Sequence, residues 1–480
     1  MNAKGLITTC LLTGSILLPG TGSSQSKNVV MFGGTAQRNM AGNATGIPAK
    51  WDVESGLNIK WKAKLGSQTY AGPIATADKV FVGTNNDGLR NPELTGDRGT
   101  IMAFNRENGE FLWQTAHPKL ATGAVNDWPF QGVASTPAVD GERLFYTSNT
   151  CQVVCLDTEG FRDGENDGPV TNEANVSPID ADVIWSFDMI GKLKVFPHNL
   201  ANSSPLIVGE NIYVVTGNGV DESHEKLPSP QAPSFIALNK KTGKLVWQSN
   251  LPGSNIMHGQ WGNPAFGTFG KKQAVIFPAG DGWLYALEPA TGKLIWKFNG
   301  NTKAATWEAG GAGSKNNIIA TPVVKDNKVY IGMGQDPEHG DGPGALYCID
   351  GTMQGDVTEK AIIWQVGGED FNRTLSTVAI KDGLLYAADL SGFFYCFEAA
   401  TGKKLWTYDT FAAVWGSPYF VDNKVFLGDE DGDLVVLKAG SKMEVLAEPN
   451  MGSAIYTAPF ARGKTLYVAA RSTLFAIEKK

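Results

Sequence analysis

The sequence predicts an all-β fold, an eight-bladed β-propeller built of four-stranded antiparallel blades. The first observation is a pattern of short apolar strands and turns that recurs eight times along nearly the whole chain. The second is a constant ten-residue spacing between a small residue and a Trp within several repeats. The third is that the last repeat lacks one strand while a spare strand precedes the first. Together these observations predict a closed ring of blades.

Each repeat starts at a small residue, usually Pro, and continues after several residues with a short apolar strand, a turn and a second apolar strand. The strands are rich in β-branched and aromatic residues and are bounded by Gly, Asp and Asn, which is typical of β-structure. The eight starting positions are Pro73, Pro137, Pro205, Pro264, Pro322, Val378, Pro418 and Pro459.

The Trp spacing predicts a hairpin at the outer edge of the blade. In the third repeat Ala237 precedes Trp247 by ten residues, and Thr242-Gly243 lies between them. The Gly is expected to take the positive-φ position of the turn, so that the next strand delivers the Trp to a constant place beside the neighbouring blade. The Trp residues assigned to this outer strand are Trp113, Trp185, Trp247, Trp296, Trp364 and Trp406.

Counting strands predicts how the ring closes. The eighth repeat ends at Ile477 without an outer strand, whereas a spare strand from Leu57 to Lys62 precedes the first repeat and carries Trp61 at the Trp position. The N-terminal strand is therefore predicted to complete the last blade.

The predicted organisation is a signal peptide (residues 1–22), an N-terminal leader (23–50) and the propeller (51–480). Lys4, an apolar run and small residues are typical of a secretory signal, and the run is too short to span a bilayer. The protein is therefore expected in the periplasm or outside the cell, with no transmembrane segment. The net charge is -7 and there is no Lys/Arg tract, so nucleic acid and anionic membranes are not favoured as partners.

The element Ala-x-Asn-x-x-Thr-Gly-Lys-x-x-Trp, complete from Ala237 to Trp247, resembles the tryptophan-docking repeat of the pyrroloquinoline quinone (PQQ) propeller superfamily. The resemblance covers about residues 50–480. This superfamily includes quinoprotein alcohol dehydrogenases and also non-enzymatic propellers such as the BamB-type outer-membrane assembly factor. The resemblance therefore implies the fold without choosing between an enzyme and a binding protein.

Loop lengths predict which face of the propeller binds ligands. With the strands of a blade named A to D from the channel outwards, the B–C and D–A loops open on one face, which we call the decorated face. Six long loops open there, and the opposite face has tight turns apart from residues 158–182. The long loops are residues 85–99, 115–134, 218–233, 249–263, 299–319 and 335–343.

The residue three positions before each repeat start is expected at the mouth of the central channel. These residues are Tyr70, Ala134, Asn202, Trp261, Ile319, Leu375, Trp415 and Tyr456. The aromatic ones either form a shelf for a flat ring, a sugar or a peptide side chain, or only pack the mouth. The predicted ligand is a small molecule or a protein or peptide, envelope proteins included. The site predicted for it comprises Tyr70, Trp261, Trp415 and Tyr456, with Trp307 and with polar contacts from Asn218, His258 and Gln260.

The resemblance also implies a residue-by-residue test of dehydrogenase activity. Thr216-Gly217-Asn218 matches the family motif whose Asn binds Ca²⁺, but Gly262 stands where the family has its catalytic Asp. Glycine cannot accept the proton of an alcohol, which leaves Glu308 in a neighbouring loop as the substitute base. Binding or scaffolding is therefore favoured, and a PQQ- and Ca²⁺-dependent alcohol or sugar dehydrogenase is the alternative.

Metal-binding motifs are weak in this sequence. The five His residues lie far apart in the chain, without the spacing of a metalloprotease. The loop from Gln335 to Asp341 combines carboxylates with His339 on the decorated face and is a candidate cation site. The acidic run from Asp429 to Asp433 is interpreted as a hairpin turn, because it lacks the ligand spacing of a Ca²⁺ loop.

Overall fold

The computed structural model describes residues 29–88, 90–340 and 342–480, so the predicted signal peptide lies outside the described residues. Eight antiparallel sheets of four blade strands form the propeller, which confirms the predicted fold. In the described part of the chain, no helix has the length and apolar character that crossing a membrane requires.

The strands follow the repeats in order, from the innermost strand A to the outermost strand D. Blade 1 contains Ile74–Ala75, Lys79–Asn85, Arg98–Asn105 and Phe111–Gln114; blade 2 Ala138–Asp140, Arg143–Thr147, Gln152–Asp157 and Val183–Asp188; blade 3 Leu206–Val208, Asn211–Val215, Phe235–Asn239 and Leu245–Ser249; and blade 4 Ala265–Phe269, Lys272–Pro278, Trp283–Leu287 and Leu294–Asn299. Blade 5 contains Val323–Lys325, Lys328–Met333, Ala345–Asp350 and Ile362–Gly367; blade 6 Ala379–Lys381, Leu384–Ala388, Phe393–Glu398 and Lys404–Asp409; blade 7 Tyr419–Val421, Lys424–Gly428, Leu434–Lys438 and Val445–Ala447; and blade 8 Phe460–Arg462, Thr465–Ala469, Thr473–Ile477 and the N-terminal Ile59–Lys64.

A few short elements lie in the loops. Strand His117–Pro118 pairs with strand C of blade 1, Gly355–Asp356 adds a parallel strand to blade 4, and Trp307–Glu308 pairs with Ala312–Gly313. Among the described residues, the helical elements are the α-helix Met189–Leu193 and the 3₁₀ turns Gly160–Arg162, Gly253–Asn255 and Gly368–Asp370.

The ring closes through the N-terminal strand, as predicted. Ile59–Lys64 pairs antiparallel with Thr473–Ile477, and Trp61 lies opposite Ala476. Trp61 and Ala63 are buried in a cluster with residues of blade 1, whereas Ile59 is buried in a cluster with residues of blade 7. The first and last parts of the propeller sequence therefore share one sheet, which leaves the last blade with a complete outer edge.

The outer-strand Trp residues connect each blade to the next. The indole N–H of Trp247, for example, donates to the carbonyl oxygen of Pro289 in blade 4 at 2.8 Å. The turn glycine of that blade, Gly292, lies so close to the ring that a Cβ there would be 2.6 Å from it. The same type of bond to the following blade is made by Trp61, Trp113, Trp185, Trp247, Trp296, Trp364 and Trp406.

This close packing predicts that Gly243→Ala strongly lowers the free energy of unfolding, because Gly243 has a φ of +66° and a Cβ would lie 2.6 Å from the ring of Trp185. Gly209→Ala is the matched control: its φ is +59°, but its Cβ would meet open space. Both variants bear the left-handed penalty of about 1–2 kcal/mol, and only Gly243→Ala should lose about a further 1–3 kcal/mol by overpacking. Urea unfolding measures the difference, and equal destabilisation of the two variants would contradict the docking interpretation.

Residues of the leader lie in the central channel. Backbone carbonyls of Val30, Ala36, Gln37 and Met40 accept hydrogen bonds from the innermost strands of blades 2, 4, 5 and 7. In these four blades, the strand residue that donates to the leader lies two positions after the repeat start, whereas the mouth residue lies three positions before it. Strand A begins at the decorated face and runs towards the opposite face. The leader therefore closes the channel on the side opposite to the mouth.

Arg38 anchors the leader inside the channel. Its guanidinium is fully buried and donates to the carbonyl oxygens of Pro264, Phe32 and Ser204 at 2.8, 2.9 and 3.0 Å. Burial lowers the pKa of Arg38 to about 9, and the three carbonyls compensate for part of the lost hydration. One side chain thus holds the leader to blades 3 and 4.

Candidate functional site

The channel mouth on the decorated face forms a cavity of about 380 Å³. All eight mouth positions line it, together with residues from the loops around it. The lining consists of Tyr70, Gln131, Ala134, Asn199, Leu200, Asn202, Trp261, Ile319, Asp336, Pro337, Glu338, Leu375, Trp415, Glu430 and Tyr456. Periodic sequence positions therefore converge on one concave surface of a size that suits a small ligand or a side chain.

Aromatic rings form much of the wall. Tyr70 stacks on Tyr456 with ring centroids 5.2 Å apart, and Trp415 meets Tyr456 edge to face at 6.4 Å. Trp261 lies in another part of the wall, and its indole N–H donates to the carbonyl oxygen of His198 at 3.1 Å. All four rings are partly exposed, so each presents surface to the cavity.

The charged groups at the cavity are acidic. The described residues that line it include Asp336, Glu338 and Glu430 but no Lys or Arg. Glu430 accepts a hydrogen bond from the hydroxyl of Tyr456 at 3.3 Å, and burial followed by the charge of Glu430 raises the pKa of Tyr456. Arg471 lies near the two Tyr residues, but it does not line the cavity and donates to the carbonyl of Ser67. The cavity therefore combines aromatic faces with a negative potential.

Hydrogen bonds between blades stiffen the floor of the cavity. A smaller cavity of about 180 Å³ lies below the mouth. Its lining includes the residue one position before each repeat start, and also Phe32 of the leader. At these positions the N–H of Thr136 donates to Ser204 Oγ, and the N–H of Thr377 donates to Ser417 Oγ. The same ring includes links from Gly72 to Thr136, Ser204 to Asn263, Asn263 to Thr321 and Thr321 to Thr377. Consecutive links thus connect blades 1 to 7.

The polar residues predicted for the site are buried outside the cavity lining. Asn218 accepts from the N–H of Phe196 at 2.9 Å and donates to the carbonyl of Ser229 at 2.9 Å. Gln260 donates to the carbonyl of Asn218 at 2.9 Å and to the hydroxyl of Ser234 at 2.8 Å. Both side chains fasten loops to one another, and His258 is equally inaccessible.

Trp307, predicted for the ligand site, and Glu308, predicted as the substitute base, also lie away from the mouth. Trp307 contacts His339 edge to face at 5.3 Å and lines a separate cavity. Glu308 is exposed in the hairpin that Trp307–Glu308 forms with Ala312–Gly313.

The residues present do not fit the Ca²⁺ and PQQ arrangement that the family resemblance implies. Asn218, at the position of the family's Ca²⁺ ligand, uses its amide oxygen to accept from Phe196 N–H. At Gly262, the position of the catalytic Asp, even a Cβ would lie 2.5 Å from Pro278. This close contact leaves no room for an Asp side chain without movement of the backbone.

The structure brings together four of the five His residues, a cluster that sequence spacing did not indicate. His198, His224, His258 and His339 come from four different loops of the decorated face, and ring centroids within the cluster are as close as 4.2 Å. Burial lowers the pKa of His198 to about 3 and that of His339 to about 4, with a smaller contribution from His258. The sequence signal was only that these residues all lie in loops opening on one face.

The fold and the cavity define a β-propeller with a ligand-sized channel mouth. A family model described as outer membrane protein assembly factor BamB matches residues 97–162, 171–360 and 355–445, which is more than half of the chain. The chain belongs to this family.

Solved structures with the same fold include a BamB protein and an alcohol dehydrogenase. BamB from Moraxella catarrhalis is 15% identical, with a TM-score of 0.57 and 88% of this chain and 99% of that chain covered. Quinohemoprotein alcohol dehydrogenase ADHIIG from Pseudomonas putida HK5 is 13% identical, with a TM-score of 0.61 and coverage of 94% and 80%. At these identities the likeness shows the fold alone.

A curated relative matches over a shorter stretch. Tetrathionate hydrolase from Acidithiobacillus ferrooxidans is 25% identical in an alignment of 194 residues, and the match covers 35% of this chain. The match spans about a third of that enzyme's length, 32%.

Proposed function

We propose that this propeller is a binding protein whose channel mouth receives an organic cation, an ammonium or a guanidinium group. The observation that carries the proposal is the composition of the cavity wall, which combines Tyr70, Trp261, Trp415 and Tyr456 with acidic side chains and contains no Lys or Arg among its described residues. Aromatic faces attract cations through their ring quadrupole, and nearby carboxylates add a direct charge interaction.

The cation could be carried by two kinds of molecule. A small quaternary ammonium compound fits within a cavity of about 380 Å³, and so does the end of a Lys or Arg side chain of a peptide. The predicted signal peptide and the family's name, which refers to outer-membrane assembly, favour a basic segment of an envelope protein as the natural source. Stiff inter-blade links below the mouth keep the rings in place, which reduces the entropy lost on binding.

Isothermal calorimetry with matched probes tests the charge requirement. Choline and its neutral isostere 3,3-dimethylbutan-1-ol have nearly the same shape, so only choline should bind if the cation is recognised. N-acetyl-arginine amide and N-acetyl-lysine amide form the peptide arm, and stronger binding of these two than of choline would favour the peptide source. Equal affinity for choline and the neutral alcohol, or failure of all three cations to bind, would overturn the proposal.

Trp415→Ala should weaken binding of the best cation by about 5- to 30-fold, which corresponds to the roughly 1–2 kcal/mol of a partly desolvated cation–π contact. Phe411→Ala is the matched control, because Phe411 lies in the same loop, is 88% exposed and does not line the cavity. Thermal unfolding of both variants separates binding from packing. If Trp415→Ala unfolds much earlier than the wild type but binds normally, the ring only packs the mouth.

A further inference from the structure

The histidine cluster beside the channel mouth has the arrangement of a metal site. One donor atom each from His198, His224, His258 and Glu338 lies within 4.8 Å of all the others. We propose that these four side chains bind a first-row transition metal ion, with Zn²⁺ as the expected ion. This metal site adjoins the mouth cavity proposed for the organic cation, and Glu338 belongs to both.

Several buried polar atoms at the cluster have no hydrogen-bond partner in the protein. They are Nε2 of His198, both ring nitrogens of His258, Oδ2 of Asp336 and Nδ1 of His339. His198, His258 and Asp336 are at most 2% exposed, so water does not reach these groups freely. Buried polar atoms without partners are rare, and several in one place indicate a ligand that satisfies them.

The surroundings of each imidazole leave Nε2 available to the metal. Nδ1 of His198 lies 2.7 Å from the carbonyl oxygen of Val220, which can only accept, so Nδ1 carries the proton and Nε2 carries the lone pair. Nδ1 of His224 lies 3.3 Å from Nε2 of His339. Nδ1 of His258 faces Oδ2 of Asp336 at 3.2 Å, although the pair lacks hydrogen-bond geometry. The carbonyl of Val220 is an outer partner of the kind that orients metal-binding histidines.

Glu338 supplies the fourth donor. Its Oε2 lies 3.6 Å from Nε2 of His258 and 3.9 Å from Nε2 of His224, while its Oε1 accepts from the side-chain amide of Asn199 at 3.3 Å. One carboxylate oxygen therefore faces the imidazoles while the other is held by a neighbouring loop. A metal ion at the cluster would draw the donors closer together, to bonds of about 2.0–2.2 Å.

The donor set selects the class of metal. Three neutral imidazoles and one carboxylate suit Zn²⁺, Co²⁺, Ni²⁺ or Cu²⁺, whereas Ca²⁺ and Mg²⁺ prefer sites made of oxygen ligands. The site is therefore distinct in residues and in chemistry from a Ca²⁺ site at Asn218.

Metal titration of the full chain, purified without a polyhistidine tag and treated with a chelator, tests the proposal. We expect one Zn²⁺ per chain by calorimetry, a higher unfolding temperature with Zn²⁺, and visible absorption bands of four-coordinate Co²⁺. His224→Gln and Glu338→Gln, both at partly exposed side chains, should fold and bind Zn²⁺ at least about 10-fold more weakly.

His117→Gln is the matched control, because His117 is the one described histidine outside the cluster. It should bind Zn²⁺ like the wild type. Absence of stoichiometric Zn²⁺ and Co²⁺ binding, a preference for Ca²⁺, or equal affinities in all three variants would overturn the proposal. Choline titrated into His224→Gln reports on the mouth separately, so failure of one proposal is distinguishable from failure of the other.

Discussion

A chain that begins at residue 67 should lose the closed ring and unfold at a much lower denaturant concentration than a chain that begins at residue 51. The two chains differ by residues 51–66, which contain the closing strand Ile59–Lys64 that pairs with Thr473–Ile477. The strand also docks Trp61 on blade 1, where its indole N–H donates to the carbonyl of Arg106 at 3.0 Å. Loss of a buried Trp side chain alone costs about 3–5 kcal/mol, and loss of the strand should cost more.

Urea unfolding measures this difference, and sedimentation velocity shows whether the exposed edge of blade 8 makes the shorter chain self-associate. Both chains lack the leader, so the chain that begins at residue 51 controls for the effect of its removal. The closure interpretation is wrong if the two truncated chains unfold at the same midpoint and remain monomeric.

Arg38→Ala should destabilise the protein by about 2–5 kcal/mol. The variant removes a charged donor from the carbonyls of Phe32, Ser204 and Pro264 and leaves a gap inside the channel. A hydrogen bond to a charged group contributes about 1.5–3 kcal/mol. Arg38→Lys should recover only part of the loss, because an ammonium cannot reproduce the planar fork of the guanidinium.

Denaturant unfolding and limited proteolysis of the leader test this expectation. Gln37→Ala is the neighbouring control. At this position the leader accepts a hydrogen bond from Val324 through the backbone carbonyl of Gln37, which the substitution retains. A loss of stability below about 0.5 kcal/mol in Arg38→Ala, with unchanged protection of residues 29–49 from protease, would show that Arg38 does not anchor the leader.

The repeats, the blade count and the closing strand could be predicted from sequence because each depends on local patterns. Alternating apolar residues specify a strand, and the Gly of the hairpin before Trp247 specifies a positive-φ turn wherever it occurs. Position within the repeat likewise predicted that Tyr70, Trp415 and Tyr456 lie together at the mouth. Asn218 and Gln260 were also predicted for the site, but their side chains are buried and form hydrogen bonds with other loops.

The leader was predicted as a segment separate from the propeller. Its residues have no repeat pattern, since each bonds to a different blade and the bonds use mainly backbone carbonyls, which every residue type supplies. The position of Arg38 in the channel was therefore not predictable from the residues around it.

By itself, the sequence determined the eight-bladed architecture, the strand that closes it and the ring of residues at the channel mouth, because strand and turn preferences act over a few residues and then repeat. Only the tertiary structure decided that the leader fills the channel and that His198, His224, His258 and His339 meet, with Glu338 among them. The four donors come from four different loops, and their meeting depends on how the ring closes and how long loops fold over it. Contacts of that range leave no periodic signal in a single sequence.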